Sequence, residues 1–259
     1  MTFVVSGKVC GNHERHMRRI QDRVYETCKD ETASKHMWVV DMGDAIRDDV
    51  WRMKTCRCVV DPIRKIFGDR DIRPVEIVDE LYWSASPLEA SGSDKSLVKC
   101  HRDGPFDFFP SETAVWYRII IAINDNDDVI THFPKAGMSV KMSKGDFHGL
   151  HYDRDTHCVE GSIPKGKYRI IMKIHYLITP RSQTVAGDAM SSIYALGERA
   201  WANASRNVMN ASVDPKNSFE RGIAFFVNFS TQHPHEIMTS LVIVTILIFY
   251  FVLIRKGRR

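Results

Sequence analysis

The chain has 259 residues with a net charge of +4, and 44% of the residues are hydrophobic while 26% are charged. This composition is typical of a globular protein and predicts a packed core over most of the length. Part of the positive charge lies in the last five residues, 255–259, so the remainder is close to neutral. The charge balance therefore argues against a nucleic-acid-binding protein.

Residues 1–83 are predicted to form an N-terminal helical and mixed support region. Apolar side chains recur there at helical spacing with charged residues between them, and the same pattern continues over residues 44–67. Residues 73–83 fit either a helix or a strand, and the turn-rich segment 84–96 ends the region. The apolar positions at helical spacing are Met17, Ile20, Val24 and Cys28.

From residue 97 the pattern changes to that of β-strands. Residues 114–123 are β-branched and aromatic and end at turn residues, and residues 167–178 alternate strictly between two faces. Several such strands with short turns predict an antiparallel sandwich or barrel over residues 97–178. We expect about eight short strands, with the N-terminal helices on the outside, which makes the fold class mainly β with flanking helices.

The stretch KCHRDG, residues 99–104, places His101 and Asp103 two positions apart. On a strand, residues i and i+2 point to the same side, so these two side chains can converge on one ion. His157 lies 54 residues after Asp103, in the same strand-rich part of the chain. Two histidines and one carboxylate can hold Fe(II) on one face and leave positions open for a co-substrate and oxygen. We therefore predict an iron site at these three residues.

A co-substrate carboxylate would need a buried cation close to that ion. Lys167 and Arg169 follow His157 by ten and twelve residues and share one face of a strand. Arginine binds a carboxylate through two parallel hydrogen bonds, whereas lysine offers a point charge. Arg118 has apolar neighbours on its own strand face, so it is expected to need a buried anion as its partner.

The order H-x-D, strand-rich interval, histidine and then a basic residue resembles the Fe(II)/2-oxoglutarate dioxygenases over residues 97–178. This resemblance implies a double-stranded β-helix, which is a jelly-roll barrel, with Fe(II) as the metal and 2-oxoglutarate as the co-substrate. The residues that it assigns to iron are His101, Asp103 and His157, and those that it assigns to 2-oxoglutarate are Arg169, Lys167 and Arg118.

Two branches of this family are similar to the chain. The aspartyl/asparaginyl β-hydroxylases carry an Arg on each of two strands and acidic residues before the second histidine. The residues that match this pattern are Arg118, Arg169, Asp153 and Asp155. The prolyl hydroxylases have a Lys ten residues after the distal histidine, which Lys167 matches, and THFP at 131–134 resembles their Thr-x-Phe element. The resemblance implies hydroxylation of an Asp, Asn or Pro side chain in a protein or peptide substrate.

The chain also departs from both branches. Ile120 stands where the β-hydroxylases usually have a histidine, and Val98 stands where the prolyl hydroxylases usually have a tyrosine. In another register, residues 105–109 align with the H-x-D stretch, Pro105 replaces the histidine, and no metal site is left. The alternative function is then a catalytically inactive jelly-roll domain, displayed on a cellular or virion membrane as a binding or assembly module. Two further histidines compete for the role of third ligand, His148 and His151.

The C-terminal part of the chain predicts a membrane anchor. Residues 180–236 are polar and are expected to form a covering helix and a stalk. Residues 237–254 follow as eighteen residues without a charge, and a membrane-spanning helix takes about 17–25 apolar residues. Together with the basic tail, 255–259, they predict a single-pass C-terminal anchor. The apolar patch at the N-terminus is shorter than the about 7–15 residues that a secretory signal needs.

The side of the membrane on which the domain lies stays open. Three N-x-S sequons fall in the polar stalk, and they and the basic tail favour a lumenal or external domain. The lack of a predicted secretory signal favours a domain made in the cytosol. The candidate glycosylation sites are Asn203, Asn210 and Asn228.

Six cysteines occur in the chain, and none of their spacings makes a zinc knuckle or a redox C-x-x-C pair. An even number permits disulfides, but the sequence also fits scattered thiols in a reducing compartment. Cys56 and Cys58 are separated by a single residue, which is too close for both to bind one zinc ion in the usual way. The remaining cysteines are Cys10, Cys28, Cys100 and Cys158.

Overall fold

A computed structural model describes residues 3–31, 34–85, 100–103 and 114–183, together with scattered residues between 189 and 222. The chain divides into two compact units, Met1–Asn203 and Ala204–Arg259, and the helices and strands given below all lie in the first. In the part of the chain so described, no helix is both long enough and apolar enough to cross a membrane. The predicted span, residues 237–254, falls outside the described residues.

Three amphipathic helices pack against the larger of two β-sheets. The helices are α1 (Glu14–Cys28), α2 (Asp44–Lys54) and α3 (Arg57–Phe67). The four apolar positions that recur at helical spacing in α1 are all buried, because one stripe of an amphipathic helix faces the core. They share a single hydrophobic core with apolar residues of the larger sheet, such as Ile119 and Ile174.

Nine strands form the two sheets among the residues that the structure describes, and all of the pairings are antiparallel. The larger sheet has the order β1-β7-β4-β9-β3-β2, and the smaller sheet has the order β6-β5-β8. The strands are β1 (Val5–Lys8), β2 (Lys35–Trp38), β3 (Asp71–Ala85), β4 (Val115–Ala122), β5 (Val129–Phe133), β6 (Met138–Lys141), β7 (Asp146–His151), β8 (Cys158–Gly161) and β9 (Tyr168–Thr179).

Alternation along the central strands divides their side chains between two faces. On β4, Tyr117 and Ile119 belong to the core shared with the helices. Arg118 and Ile120 point the other way, and Ile120 packs with Phe133 of the smaller sheet. This second face lies between the two sheets and is called the barrel interior below. On β9 the same alternation directs Arg169, Ile171, Lys173 and His175 into the barrel interior.

The strand order is that of a jelly-roll barrel. Four strands of the larger sheet, β7-β4-β9-β3, face β6-β5-β8 of the smaller sheet, and a bridge between His101 and His157 adds a fourth position next to β8. Apolar residues from both sheets pack into one cluster, which joins the sheets through a common core. The predicted class, mainly β with flanking helices and a jelly-roll barrel, is confirmed.

The barrel begins earlier in the chain than the sequence pattern indicates. We expected the strand-rich region to start at residue 97, but β3 already pairs with β9 along its length, from Asp71 opposite Thr179 to Ala85 opposite Tyr168. Residues 73–83, which fit a helix or a strand by sequence, are therefore a strand. Its partner is about a hundred residues further along the chain, and such non-local pairing leaves little trace in a local pattern.

Four of the six cysteines form disulfides, which decides between the two possibilities that the sequence left open. Cys10 pairs with Cys58, and Cys100 pairs with Cys158. Cys28 and Cys56 are free, and Cys28 is fully buried in the helical core. The first disulfide joins the segment after β1 to α3. The second joins the His101 segment to β8.

Candidate metal centre

His101 and His157 meet as an antiparallel pair beside the smaller sheet. The backbone N–H of each donates a hydrogen bond to the C=O of the other, and both N···O distances are 2.9 Å. Residues directly opposite each other in such a pair point to the same side, and the centroids of the two imidazole rings are 4.5 Å apart. Asp103, two residues after His101, points to that side as well. The structure thus brings the three predicted ligands together.

The donor atoms of these three residues are close enough to share one ion. Nε2 of His101 lies 3.6 Å from Oδ1 of Asp103, and Nε2 of His157 lies 3.8 Å from the same oxygen. One donor atom from each residue lies within 4.8 Å of the other two. Ligand atoms about 2.0–2.2 Å from a shared ion are themselves about 3–4 Å apart. Two imidazoles and a carboxylate on one side of an ion are the ligand set of non-haem Fe(II) oxygenases.

Arg118 fixes the orientation and the charge of the carboxylate ligand. Its Nη1 lies 2.6 Å from Oδ2 of Asp103, which leaves Oδ1 turned towards the two imidazoles. Burial alone raises the pKa of Asp103, but Arg118, followed by His157 and the hydrogen bond from His101, holds that pKa well below its usual value. The carboxylate is therefore ionised at neutral pH, which is the form that binds a cation.

The imidazole of His157 is held in its neutral form. Its side chain is only 5% exposed, and burial lowers its pKa, although the nearby Asp103 acts in the opposite direction. A metal binds the neutral imidazole, so this environment suits a ligand. Nδ1 of the same ring is buried, and the described part of the chain offers it no hydrogen-bond partner.

A series of hydrogen bonds between buried polar groups connects Arg118 to Lys54. Its Nε donates a hydrogen bond to Nε2 of His175 at 2.8 Å, and the backbone N–H of His175 donates to Asp79 at 2.9 Å. Lys54 donates to both carboxylate oxygens of Asp79, at 2.7 and 2.6 Å. Arg118 was predicted to assist in binding 2-oxoglutarate. In the structure its guanidinium contacts Asp103 and His175, and its part in 2-oxoglutarate binding stays a prediction.

Arg169 is a buried cation in the barrel interior, and no carboxylate neutralises it in the described part of the chain. It is 8% exposed, and its Nε donates to the amide oxygen of Asn126 at 2.8 Å. Burial lowers the pKa of the guanidinium, against a small opposite effect of Tyr82. A buried charge without a counterion is costly, so this position is suited to an anion that comes from outside the chain.

Two further polar groups with unused hydrogen-bonding capacity face the same interior. Ser84 stands directly opposite Arg169 in the pairing of β3 with β9, and its buried Oγ has no partner among the described residues. The same holds for Nε2 of His148. Burial, followed by His157 and Arg169, lowers the pKa of His148 to about 3, so its ring is neutral. A guanidinium, a hydroxyl and a neutral imidazole form a donor set that fits a carboxylate.

Lys167 lies outside this interior. Its side chain is 61% exposed and forms an ion pair with Asp128 at 3.0 Å. It precedes β9, whereas Arg169 lies inside the strand. Of the two cations that the sequence offered for the co-substrate, only Arg169 is therefore buried in the barrel interior.

The other acidic residues and histidines near His157 take structural positions. Asp155 is buried and accepts a hydrogen bond from the backbone N–H of His151 at 2.8 Å, and burial raises its pKa. Asp153 is also buried. The ring of His151 lies 6.0 Å from that of Phe3. Among the described residues, neither His148 nor His151 joins the group of possible metal ligands that contains Asp103.

A second group of possible metal ligands consists of three cysteine sulfurs, those of Cys10, Cys56 and Cys58. Because Cys10 and Cys58 form a disulfide, this group leaves a single thiol, that of Cys56. Burial raises the pKa of that thiol, which favours the protonated form over the thiolate that binds metals. The three-residue cluster around Asp103 is therefore the better candidate for a metal.

Several residues of this site were missed in the sequence. Ser84 and Asn126 are polar residues of ordinary type, and no sequence pattern distinguishes them from surface residues. The pair of cysteines beside the ligands did leave a signal. The sequence reads Cys100-His101 at one ligand and His157-Cys158 at the other, in the mirrored order that two antiparallel segments require.

Of the three candidate glycosylation sites, only Asn203 lies within the described residues. It is exposed, and its amide oxygen accepts a hydrogen bond from Nε1 of Trp38 at 3.1 Å. Asn210 and Asn228 lie outside the described residues. Glycosylation at these three positions stays a prediction.

The chain has been compared with known proteins at the levels of family, sequence and structure. No family model matches it, and no curated protein matches it. Among solved structures, the non-heme α-ketoglutarate-dependent epimerase SnoN from nogalamycin biosynthesis is 13% identical with a TM-score of 0.48, covering 69% of this chain and 77% of that chain.

Two further solved structures are similar to the same degree. The viral collagen prolyl hydroxylase vCPH from Paramecium bursaria Chlorella virus-1, in its 2OG complex, is 10% identical with a TM-score of 0.46, covering 69% of this chain and 97% of that chain. HygX from Streptomyces hygroscopicus, with nickel and 2-oxoglutarate bound, is 10% identical with a TM-score of 0.47, covering 70% and 83%. At such scores, function has to be argued from the geometry of the site.

Proposed function

We propose that this chain is an Fe(II)/2-oxoglutarate-dependent dioxygenase that hydroxylates a protein side chain. The observation that carries the proposal is the combination of two features in one jelly-roll barrel. One is the cluster of His101, Asp103 and His157, whose donor atoms lie within 4.8 Å of one another. The other is Arg169, a buried guanidinium in the barrel interior with no carboxylate partner among the described residues.

Each residue of the site has a separate task in this proposal. The two imidazoles and Oδ1 of Asp103 hold the iron, and Arg118 keeps that carboxylate ionised and oriented. Arg169 binds a carboxylate of 2-oxoglutarate, with the hydroxyl of Ser84 as a further donor. When bound, the iron and 2-oxoglutarate together activate oxygen for the hydroxylation of a C–H bond. The apolar residues of the barrel interior, among them Phe133, keep water away from the reacting groups.

The substrate in this proposal is an Asp, Asn or Pro side chain of a protein or peptide. This rests on the sequence resemblance to the β-hydroxylases and the prolyl hydroxylases. The membrane anchor at residues 237–254 is likewise proposed from sequence, as eighteen uncharged residues in a row. An anchored enzyme would act on substrates near one face of a membrane.

Iron content and 2-oxoglutarate turnover of the full chain test the proposal. The wild type is expected to take up one Fe(II) after anaerobic reconstitution and to convert 2-oxoglutarate to succinate. His157→Ala should lose both properties, because two remaining ligands hold the ion poorly against water. His132→Ala is the matched control, since this histidine of the smaller sheet contacts Ser139 and Glu160 instead. A wild type that holds no iron would leave the inactive display module as the better function.

A further inference from the structure

Each histidine ligand has a cysteine as its direct neighbour in the chain. Cys100 precedes His101, and Cys158 follows His157. Because the two histidines are paired in antiparallel fashion, the next pair along the two segments is Cys100 opposite Cys158. These two residues form a disulfide, and their Cα atoms are 4.1 Å apart. The cross-link is therefore one residue away from both ligands.

The disulfide lies on the side of the paired segments opposite to the metal ligands. Neighbouring residues on an extended segment point to opposite sides, so the sulfurs and the imidazoles diverge from the same two backbones. The cross-link can therefore fix the distance and the register between the ligand-bearing segments without occupying the side on which the ion binds.

The segment 100–103 carries two of the three proposed ligands, and among its described residues one pair connects it to the barrel. The His101–His157 pair is an isolated bridge outside the named strands, with two backbone hydrogen bonds. Asp103 adds an ion pair with Arg118. The net contribution of a single hydrogen bond to stability is modest, whereas the Cys100–Cys158 link is covalent. The disulfide connects this segment covalently to Cys158, the first residue of β8, which directly follows His157.

We propose that the Cys100–Cys158 disulfide is a redox-dependent clamp that positions the metal ligands, so that the chain binds its metal tightly only in the oxidised form. This inference rests on the proposed metal centre. A dithiol reductant would supply two electrons and two protons, the S–S bond would break, and both cysteines would become thiols while the reductant becomes a disulfide. The segment that carries His101 and Asp103 then loses its covalent link to Cys158, the neighbour of His157.

The loss of the clamp is expected to weaken metal binding by 10- to 100-fold, the size of effect that follows when residues orienting metal ligands are removed. The cysteines are 58 residues apart in the chain. Without the cross-link, the metal itself has to draw the two ligand-bearing segments together, and the entropy of closing that loop is taken from the binding free energy.

The test measures the Fe(II) dissociation constant of the oxidised full chain, under anaerobic conditions and by competition with a chelating dye. The variant Cys100→Ser/Cys158→Ser is expected to bind Fe(II) 10- to 100-fold more weakly than the wild type. The matched control is Cys10→Ser/Cys58→Ser, which removes the other disulfide, at the helical layer. This control should keep the affinity of the wild type.

The outcomes separate the clamp from the metal centre. A wild type that binds no Fe(II) overturns the metal centre and the clamp together, whereas equal affinities of wild type and Cys100→Ser/Cys158→Ser overturn the clamp alone. If the double variant loses its folded circular-dichroism spectrum, the wild type is titrated with a dithiol instead. Metal release that follows the alkylation of Cys100 then supports the clamp, and metal that stays bound after alkylation refutes it.

Discussion

Arg118 and Arg169 are both buried arginines of the barrel interior, and the difference between them lies in their partners. Arg118 faces Asp103 at 2.6 Å and His175 at 2.8 Å, so its charge is neutralised within the chain. Arg169 contacts the neutral amide of Asn126. A desolvated charge needs an opposite charge, and for Arg169 that charge is proposed to come with the co-substrate. In the proposed function, two residues of one type would therefore serve the metal and the co-substrate separately.

Substitution of Arg169 should weaken 2-oxoglutarate binding and spare the iron. Arg169→Ala removes a charge-assisted hydrogen bond worth about 1.5–3 kcal/mol, which corresponds to roughly a ten- to hundredfold weaker affinity. Lys167→Ala, which removes an exposed cation two residues away, is the control and should change the affinity little. Titration calorimetry with 2-oxoglutarate on iron-loaded protein measures both variants. An unchanged affinity in Arg169→Ala would contradict the assignment.

The stability of the fold should fall with acid because of its buried histidines. The pKa of His148 is lowered to about 3 from 6.5, so below pH 6.5 the unfolded chain takes up a proton that the folded chain refuses. Each such histidine then costs about 1.4 kcal/mol per pH unit. His148→Leu should reduce the slope of unfolding free energy against pH between 6 and 4 by that amount.

Urea unfolding of wild type and His148→Leu at several pH values measures this slope. At pH 8 His148 is neutral in both the folded and the unfolded chain. A comparison at that pH therefore isolates the effect of the substitution on packing. The wild-type slope also contains His175, whose pKa burial lowers well below its usual value, so some acid sensitivity remains in the variant. Parallel curves for the two proteins would refute the role of His148.

At the scale of elements, the contact between β4 and β7 depends on a residue without a side chain. Gly149 on β7 pairs with Ile119 on β4, and the ring of Tyr117 lies across it to donate a hydrogen bond to the backbone of Phe3 at 2.6 Å. A Cβ at Gly149 would lie 2.5 Å from Ile119 and 2.7 Å from the Tyr117 hydroxyl. Ile119 and Tyr117 can therefore pack this closely against β7 only because residue 149 has no side chain.

Gly149→Ala is expected to destabilise the fold by about 1–3 kcal/mol, the usual cost of overpacking a close-packed core. Gly11→Ala is the matched control, because nothing lies within 4 Å of a Cβ built at that glycine. Chemical denaturation at neutral pH measures both variants. If the two substitutions have the same effect on the free energy of unfolding, the close approach of Tyr117 is not what excludes a side chain.

At the scale of the whole molecule, the two faces of the larger sheet differ in the residues that they bury. The helix-facing side of the larger sheet is a continuous apolar core, whereas the barrel interior carries Arg118, His148, Arg169 and His175 among its buried residues. Buried polar side chains cost stability unless they are paired. The helical side buries polar residues too, but His16 and Asp49 there are paired with each other.

Removal of residues 237–259 should release the protein from membranes without loss of the fold. The nine strands and the helices α1, α2 and α3 lie between residues 5 and 179, and the proposed span is eighteen uncharged residues. Carbonate extraction of membranes measures the release, with the full chain as the control. A truncated chain that still pellets with washed membranes would locate the anchor elsewhere.

Glycosidase treatment of the full chain tests on which side of the membrane the domain lies. A shift in electrophoretic mobility would put Asn203 and the other two sequons in a lumen or outside the cell. An unchanged mobility, with the sequons accessible to a cytosolic protease, would favour a domain that stays in the cytosol.

The sequence by itself determined the periodic parts of this protein. The buried stripe of α1 and the two-sided alternation of β9 follow from spacing alone, because a helix and a strand each repeat their faces at a fixed period. The candidate ligands also followed from spacing, since H-x-D on an extended segment directs two donors to one side. The strand identity of residues 73–83 did not follow, because it depends on pairing with a distant part of the chain.

Only the tertiary structure decided which of the candidate cations is buried and which cysteines are paired. By sequence both Lys167 and Arg169 are candidates, with Arg169 favoured for its fork geometry, and the fold leaves the first in solvent and turns the second into the barrel interior. Cys100 and Cys158, which are 58 residues apart in the chain, become partners because the neighbouring histidines pair in the fold. Long-range pairing is a property of the folded chain, and a local pattern such as the mirrored Cys-His and His-Cys order is at most compatible with it.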